Sequence, residues 1–150
     1  MSPSLERIQQ VIDRADISDA VVRYATAVDT RDWRSLAALF TDDAYWEYSA
    51  SGERVDGPAA ITDRIRSSIE RLDATQHFNT NHVVALSGDE AEHICYYYAQ
   101  HIRRGLANGA TFLAGGMYRD RFRRTAQGWK FTARTLNSSW SEGNPAVIGR

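Results

Sequence analysis

The chain has 150 residues, 43% hydrophobic and 25% charged, the balance of a soluble globular protein long enough for one domain with a sizeable core. Eighteen Lys and Arg stand against nineteen Asp and Glu. That near-neutral balance argues against nucleic acid as a main partner. The single cysteine, Cys95, excludes an intrachain disulfide and fits a reducing, cytoplasmic compartment. Residues 1–10 are too polar for a signal peptide, and no stretch approaches the ~20 apolar residues of a membrane span.

The chain opens with helical spacing. Leu5, Ile8, Val11 and Ile12 recur on one face, and Ile17, Ala20, Val21, Tyr24, Ala25 and Val28 continue the pattern, with Asp16 or Ser18 as a possible cap between two helices. A short second helix starts at Asp32 and groups Trp33, Leu36, Ala37 and Phe40, and Thr41, Asp42 and Asp43 read as a turn. The aromatic run 44–49 predicts a first strand, followed by a bend at residues 51–53. Asp56, Gly57 and Pro58 open a third helix with Ile61, Ile65, Ile69 and Leu72 on its apolar face.

From Gln76 the period changes to that of strands, predicted over 76–86, 91–103, 111–123 and 129–140. Short Gly-rich links make them antiparallel neighbours. Gly115 and Gly116 lie mid-strand, where glycine marks a bulge, a kink or a close approach. The tail from Glu142 is either loose or draped over a neighbour. Helices followed by antiparallel strands give an α+β domain spanning 1–150. A curved sheet wrapped on a helix leaves a cone whose mouth suits a ligand.

Asp29 ends the apolar face of the first helix, where it either enters the pocket or takes part in an ordinary helix-end turn. On a regular strand His77, Asn79 and Asn81 share one face, and Phe78, Thr80 and His82 the other. His93 follows an acidic run and reads as solvated, whereas His101 shares a face with Tyr97 and Cys95. No zinc-type spacing of His and Cys occurs, so no metal is expected. Arg134, read on the same face as Lys130, Thr132, Leu136 and Trp140, is either an anion-binding group or half of a cross-strand ion pair. Nucleophile-elbow, P-loop and dinucleotide motifs are missing from the sequence.

The run Tyr24-x4-Asp29-Thr30-Arg31-Asp32-Trp33-x2-Leu36-x3-Phe40-Thr41-Asp42-Asp43-Ala44 resembles the N-terminal signature of SnoaL-like proteins of the nuclear transport factor 2-like superfamily. Gly57-Pro58-x2-Ile61, Thr75-Gln76-His77-Phe78 and Gly128-Trp129-Lys130-Phe131 are similar to its third-helix start, central histidine segment and last strand. The pattern is most like scytalone dehydratase, hexachlorocyclohexane dehydrochlorinase and bile-acid 7α-dehydratase. The resemblance implies a cone-shaped cystatin-like fold and a cofactor-independent lyase acting on a small hydrophobic cyclic, polyketide- or steroid-like molecule. It implies His77 as general base, Asp29 as its orienting partner, and Tyr24 and Arg134 as catalytic partners. Trp46, Tyr48, Phe78, His101 and Phe112 become the substrate-binding candidates. It also implies a homo-oligomer, dimer or trimer. A ketosteroid-isomerase-like isomerase or polyketide cyclase, with Asp29 as base, and a non-catalytic binding module are the other functions open to such a domain.

Overall fold

The computed structural model describes residues 3–149. Helix α1, Pro3–Thr30, runs for 28 residues without a break at Asp16 or Ser18. At 1.5 Å per residue it is about 42 Å long. Only its C-terminal half packs: Ile17, Ala20, Val21, Tyr24, Ala27 and Val28 are buried, while Leu5, Ile8, Val11 and Ile12 stay about half exposed. The apolar spacing near the start therefore marks a helix but not core. Asp13 anchors the overhanging end, because Arg124 grips both its oxygens at 2.7 and 2.8 Å and the Trp129 indole donates to it at 3.1 Å.

Helix α2, Trp33–Ala38, is capped by the Asp32 side chain, which accepts from the Ser35 N–H. Strand β1, Phe40–Tyr48, begins earlier than the aromatic run suggests and absorbs the three residues read as a turn. A four-residue strand, β2 (Glu53–Asp56), folds back on it, and α3, Pro58–Ile69, follows with Pro58 in its first turn. Four long strands complete the sheet: β3 (Ala74–Ser87), β4 (Glu90–Ile102), β5 (Thr111–Thr125) and β6 (Gly128–Gly143). A short 3-10 turn, Pro145–Ile148, ends the described chain.

The six strands lie in the order β2-β1-β6-β5-β4-β3, antiparallel except for the parallel β1/β6 pair. The concave face wraps α1 and α3, giving one core in which Phe40, Phe122 and Phe131 stack around Tyr24. No helix among the described residues is long and apolar enough to cross a membrane.

Three single-residue bulges interrupt the long antiparallel strands and change which side chains face inward. In β3 the register slips between Thr80 and Val83, with Asn81 at φ 56°. In β6, Thr132 and Ser139 are extra residues opposite β5, which pairs Phe122 with Phe131 but Arg121 with Ala133, and Gly116 with Ser138 but Gly115 with Trp140. Each inserted residue inverts the alternation beyond it. Gly116 sits at the second bulge, where a Cβ would lie 2.1 Å from the Asn137 carbonyl oxygen. That oxygen is backbone and cannot swing aside. Gly116→Ala is therefore expected to destabilise the fold by roughly 2–3 kcal/mol, measurable as a lowered urea midpoint with unchanged slope.

Candidate active site

Asp29 lies in the last turn of α1 and His77 near the start of β3, brought together because α1 crosses the concave face. His77 Nδ1 meets Asp29 Oδ1 at 2.7 Å, and the His77 backbone N–H donates to Oδ2 at 2.8 Å. The Thr75 hydroxyl donates to Oδ1 at 2.9 Å, and itself accepts from Arg31 Nη1 at 3.0 Å. Arg31, at φ 58°, also donates to the carbonyls of Asp29 and Leu72, tying the helix end to the base of α3. Both oxygens of Asp29 thus face donors only. Burial pushes its carboxyl up, but the hydrogen bonds and charge from His77 and Thr75 outweigh this and hold it below its ordinary range. An ionised Asp29 fixes the proton of His77 on Nδ1 and leaves Nε2 with a lone pair.

His77 lines a cavity of about 260 Å³ in the mouth of the cone. Tyr24, Trp46, Tyr48, His101 and Phe112 line it too. Tyr97 and Tyr118 add two phenols, and Arg64, Ser68, Ser138 and Ser141 add polar edges. Strand alternation from His101 reaches Tyr97, whereas no motif flagged Tyr118. Ile148 from the terminal turn also lines the cavity, so the tail drapes over the site rather than hanging loose. Burial raises the Tyr24 phenol above its ordinary range despite the opposing pull of Arg134, and raises Tyr118 well above it. Both hydroxyls stay protonated near neutral pH.

Other expected positions are corrected. Phe78 is 50% exposed and faces outward, against Tyr98 on the convex surface, because it alternates with His77 along β3. Arg134 does not line the cavity. The extra residue at Thr132 turns it inward, away from the face of Lys130 and Thr132, and it is fully buried. Its Nε and Nη2 donate to the two oxygens of Asp120, each at 2.8 Å, and its guanidinium lies over the rings of Tyr24 and Tyr118 at 4.1 and 3.9 Å. Arg134 supports the cavity floor through these two tyrosines. His93 is buried rather than solvated, with Nδ1 2.8 Å from Asp120 Oδ2, the oxygen that also accepts from Arg134 Nη2. The β3 bulge turns His82 inward and Asn81 outward, reversing the faces expected of a regular strand.

His101 stands edge-on to His77, ring centres 5.8 Å apart, with its Nδ1 3.2 Å from the Phe112 carbonyl oxygen. A carbonyl only accepts, so Nδ1 carries the proton. Burial, with the nearby His77, pushes His101 down to about 4 from the ordinary 6.5. The native state therefore binds fewer protons than the unfolded chain between those values, and stability falls as pH drops from 6.5 toward 4. The full difference corresponds to at most about 3 kcal/mol, reduced to about 2 by partial solvent contact. His101→Leu is expected to remove this acid-dependent loss, seen by comparing urea midpoints of the two proteins at pH 7 and pH 4.5.

A SnoaL-like domain model matches residues 9–135. The chain belongs to the SnoaL-like family. Terrestric acid biosynthesis cluster protein E of Penicillium crustosum is 33% identical over 144 residues, covering 92% of this chain and 90% of that protein. Among solved structures, a candidate scytalone dehydratase from Novosphingobium aromaticivorans superposes with a TM-score of 0.82 at 21% identity, over 90% of this chain and 89% of that one. An NTF2-like protein of cystatin-like fold from the same bacterium gives 0.74 at 25% identity, over 90% and 87%. The helices and six-stranded curved, unclosed sheet of this SnoaL-like chain are that fold.

Proposed function

We propose that this SnoaL-like protein is a cofactor-independent lyase that eliminates water from a small hydroxylated cyclic ketone. The observation that carries the reading is the Asp29 carboxylate clasping both His77 N–H groups, at 2.7 and 2.8 Å, behind a largely aromatic cavity. His77 Nε2 takes a proton from the carbon next to the carbonyl, and Asp29 offsets the imidazolium charge that forms. Tyr24 and Tyr118, held protonated, are the donors available to the carbonyl oxygen as negative charge builds there. The departing hydroxyl takes up a proton, which His77, now protonated, can return. The kinship with a protein named for a biosynthetic cluster supports a small-molecule substrate.

An isomerase or cyclase with Asp29 itself as base fits less well. Asp29 does not line the cavity, and both its oxygens are engaged. The test is to offer a panel of β-hydroxylated cyclic ketones and follow the absorbance of the conjugated enone. Turnover that disappears in His77→Ala supports the reading. Turnover unchanged in that variant refutes it. We also propose self-association through the convex face, where Phe78, Tyr98 and Trp140 form an exposed aromatic row. Light scattering of the purified protein reads the assembly state.

A further inference from the structure

Behind the cavity floor, the β3 bulge places His82 against His93, with His82 Nδ1 3.0 Å from His93 Nε2. Cys95, two residues along β4 from His93, is fully buried, and its sulfur and one nitrogen of each histidine all lie within 4.8 Å of one another. None of the three lines the cavity at the mouth of the cone.

The far nitrogen of each imidazole is committed. His82 Nε2 lies 3.2 Å from the Asn79 carbonyl oxygen, an atom that only accepts. His93 Nδ1 lies 2.8 Å from Asp120 Oδ2, a carboxylate that already receives two bonds from Arg134. Each far nitrogen therefore carries its own proton and donates. The two near nitrogens, in neutral rings, would turn lone pairs at one another across 3.0 Å. The contact calls for a positive species between them. A proton answers for the two nitrogens alone, whereas a metal ion also engages the sulfur beside them.

We propose that His82, His93 and Cys95 form a three-ligand site for a soft monovalent metal ion, Cu(I). A thiolate is a soft donor that suits Cu(I), and imidazole suits copper as well, so the donor set admits such an ion. Charge favours the monovalent state. Arg134 and Asp120 neutralise each other, so a thiolate with a single positive charge leaves this buried region neutral, whereas a divalent ion leaves a net positive charge. Asp120 behind His93 repeats the carboxylate–histidine arrangement that orients metal-bound imidazoles. The left-handed Asn81 that aims His82 inward is a backbone cost of the kind that gathers at functional positions. Half-buried His82 supplies the route by which an ion enters.

The test uses the full chain, with Cu(I) kept reduced under nitrogen and competed against a chromophoric Cu(I) chelator. The expected result is one equivalent retained, with an X-ray absorption spectrum fitted by one sulfur and two nitrogen neighbours. Because Cys95 is the only cysteine, a thiolate signal can come from nowhere else in the chain. Cys95→Ser and His82→Ala should each weaken retention at least 100-fold, with folding checked by circular dichroism. His82, at the partly open bulge, is the variant expected to keep the fold. Copper lost entirely to the chelator by the wild-type protein overturns the proposal, as does a spectrum lacking sulfur or retention unchanged in His82→Ala.

Discussion

Replacing His77 with alanine is expected to lower kcat on a responsive hydroxyketone by at least about 10³-fold, the contribution of a positioned general base at the upper part of its usual range. Asp29→Asn is expected to cost roughly 10²–10³-fold while leaving KM nearly unchanged. The reason lies in the count of donors. Asp29 Oδ1 receives the His77 ring and the Thr75 hydroxyl, and Oδ2 receives the His77 backbone N–H. An amide must turn its NH2 toward one of these donors, so one contact becomes repulsive whichever way it flips. If the amide oxygen keeps the backbone, the imidazole loses the acceptor that fixed its tautomer, and Nε2 is no longer the basic nitrogen. Nitrogen-15 spectra of the histidine rings read this directly. In its neutral form the wild-type His77 ring should show protonated Nδ1 and bare Nε2, and Asp29→Asn a mixture of tautomers. A variant that keeps both kcat and the tautomer would remove Asp29 from the mechanism.

How far the sequence reveals this arrangement depends on scale. The helices and four long strands follow from periodicity because each carries a run of apolar residues at helical or alternate spacing long enough to show. Strand β2 escapes it, since four residues after Gly52 are too few to display a period. The parallel β1/β6 pairing escapes it as well, because no short turn joins those strands. Spacing alone left Asp29 and His77 open to ordinary structural roles, and their pairing came from the family resemblance. The strongest departures share one cause. Single extra residues in β3 and β6 invert the inward and outward faces beyond them, turning His82 and Arg134 inward. A bulge is set by pairing across the sheet, so it leaves no mark in the spacing of its own strand. The buried cluster of Asp120, His93 and Arg134 was hidden for the same reason: its members lie 14 and 27 residues apart and meet only when three strands align.

That cluster carries the second large effect. Asp120→Ala is expected to destabilise the protein by about 3–5 kcal/mol. Asp120 and Arg134 are both completely buried, and the carboxylate receives two bonds from the guanidinium and one from His93. Arg134 Nη1 already has no hydrogen-bond partner among the described residues, so the charge rests on Asp120 and on the faces of Tyr24, Tyr118 and Phe131. Removing the carboxylate strands a cation in a region of low dielectric, and the aromatic faces return only part of what is lost. Asp120→Asn keeps the volume and one acceptor, and should fall between wild type and Asp120→Ala. Replacing both partners, Asp120→Leu with Arg134→Met, should recover much of the stability, since an apolar pair needs no compensation at that depth. The double variant should still lose turnover, because Tyr24 and Tyr118 would no longer be held against a fixed guanidinium beneath the cavity. Urea midpoints for the single and double variants, set beside kcat for the double variant, separate the cost of an unpaired buried charge from the role of Arg134 in placing the two phenols. If Asp120→Ala unfolds at the wild-type midpoint, the ion pair is not what holds this part of the core together.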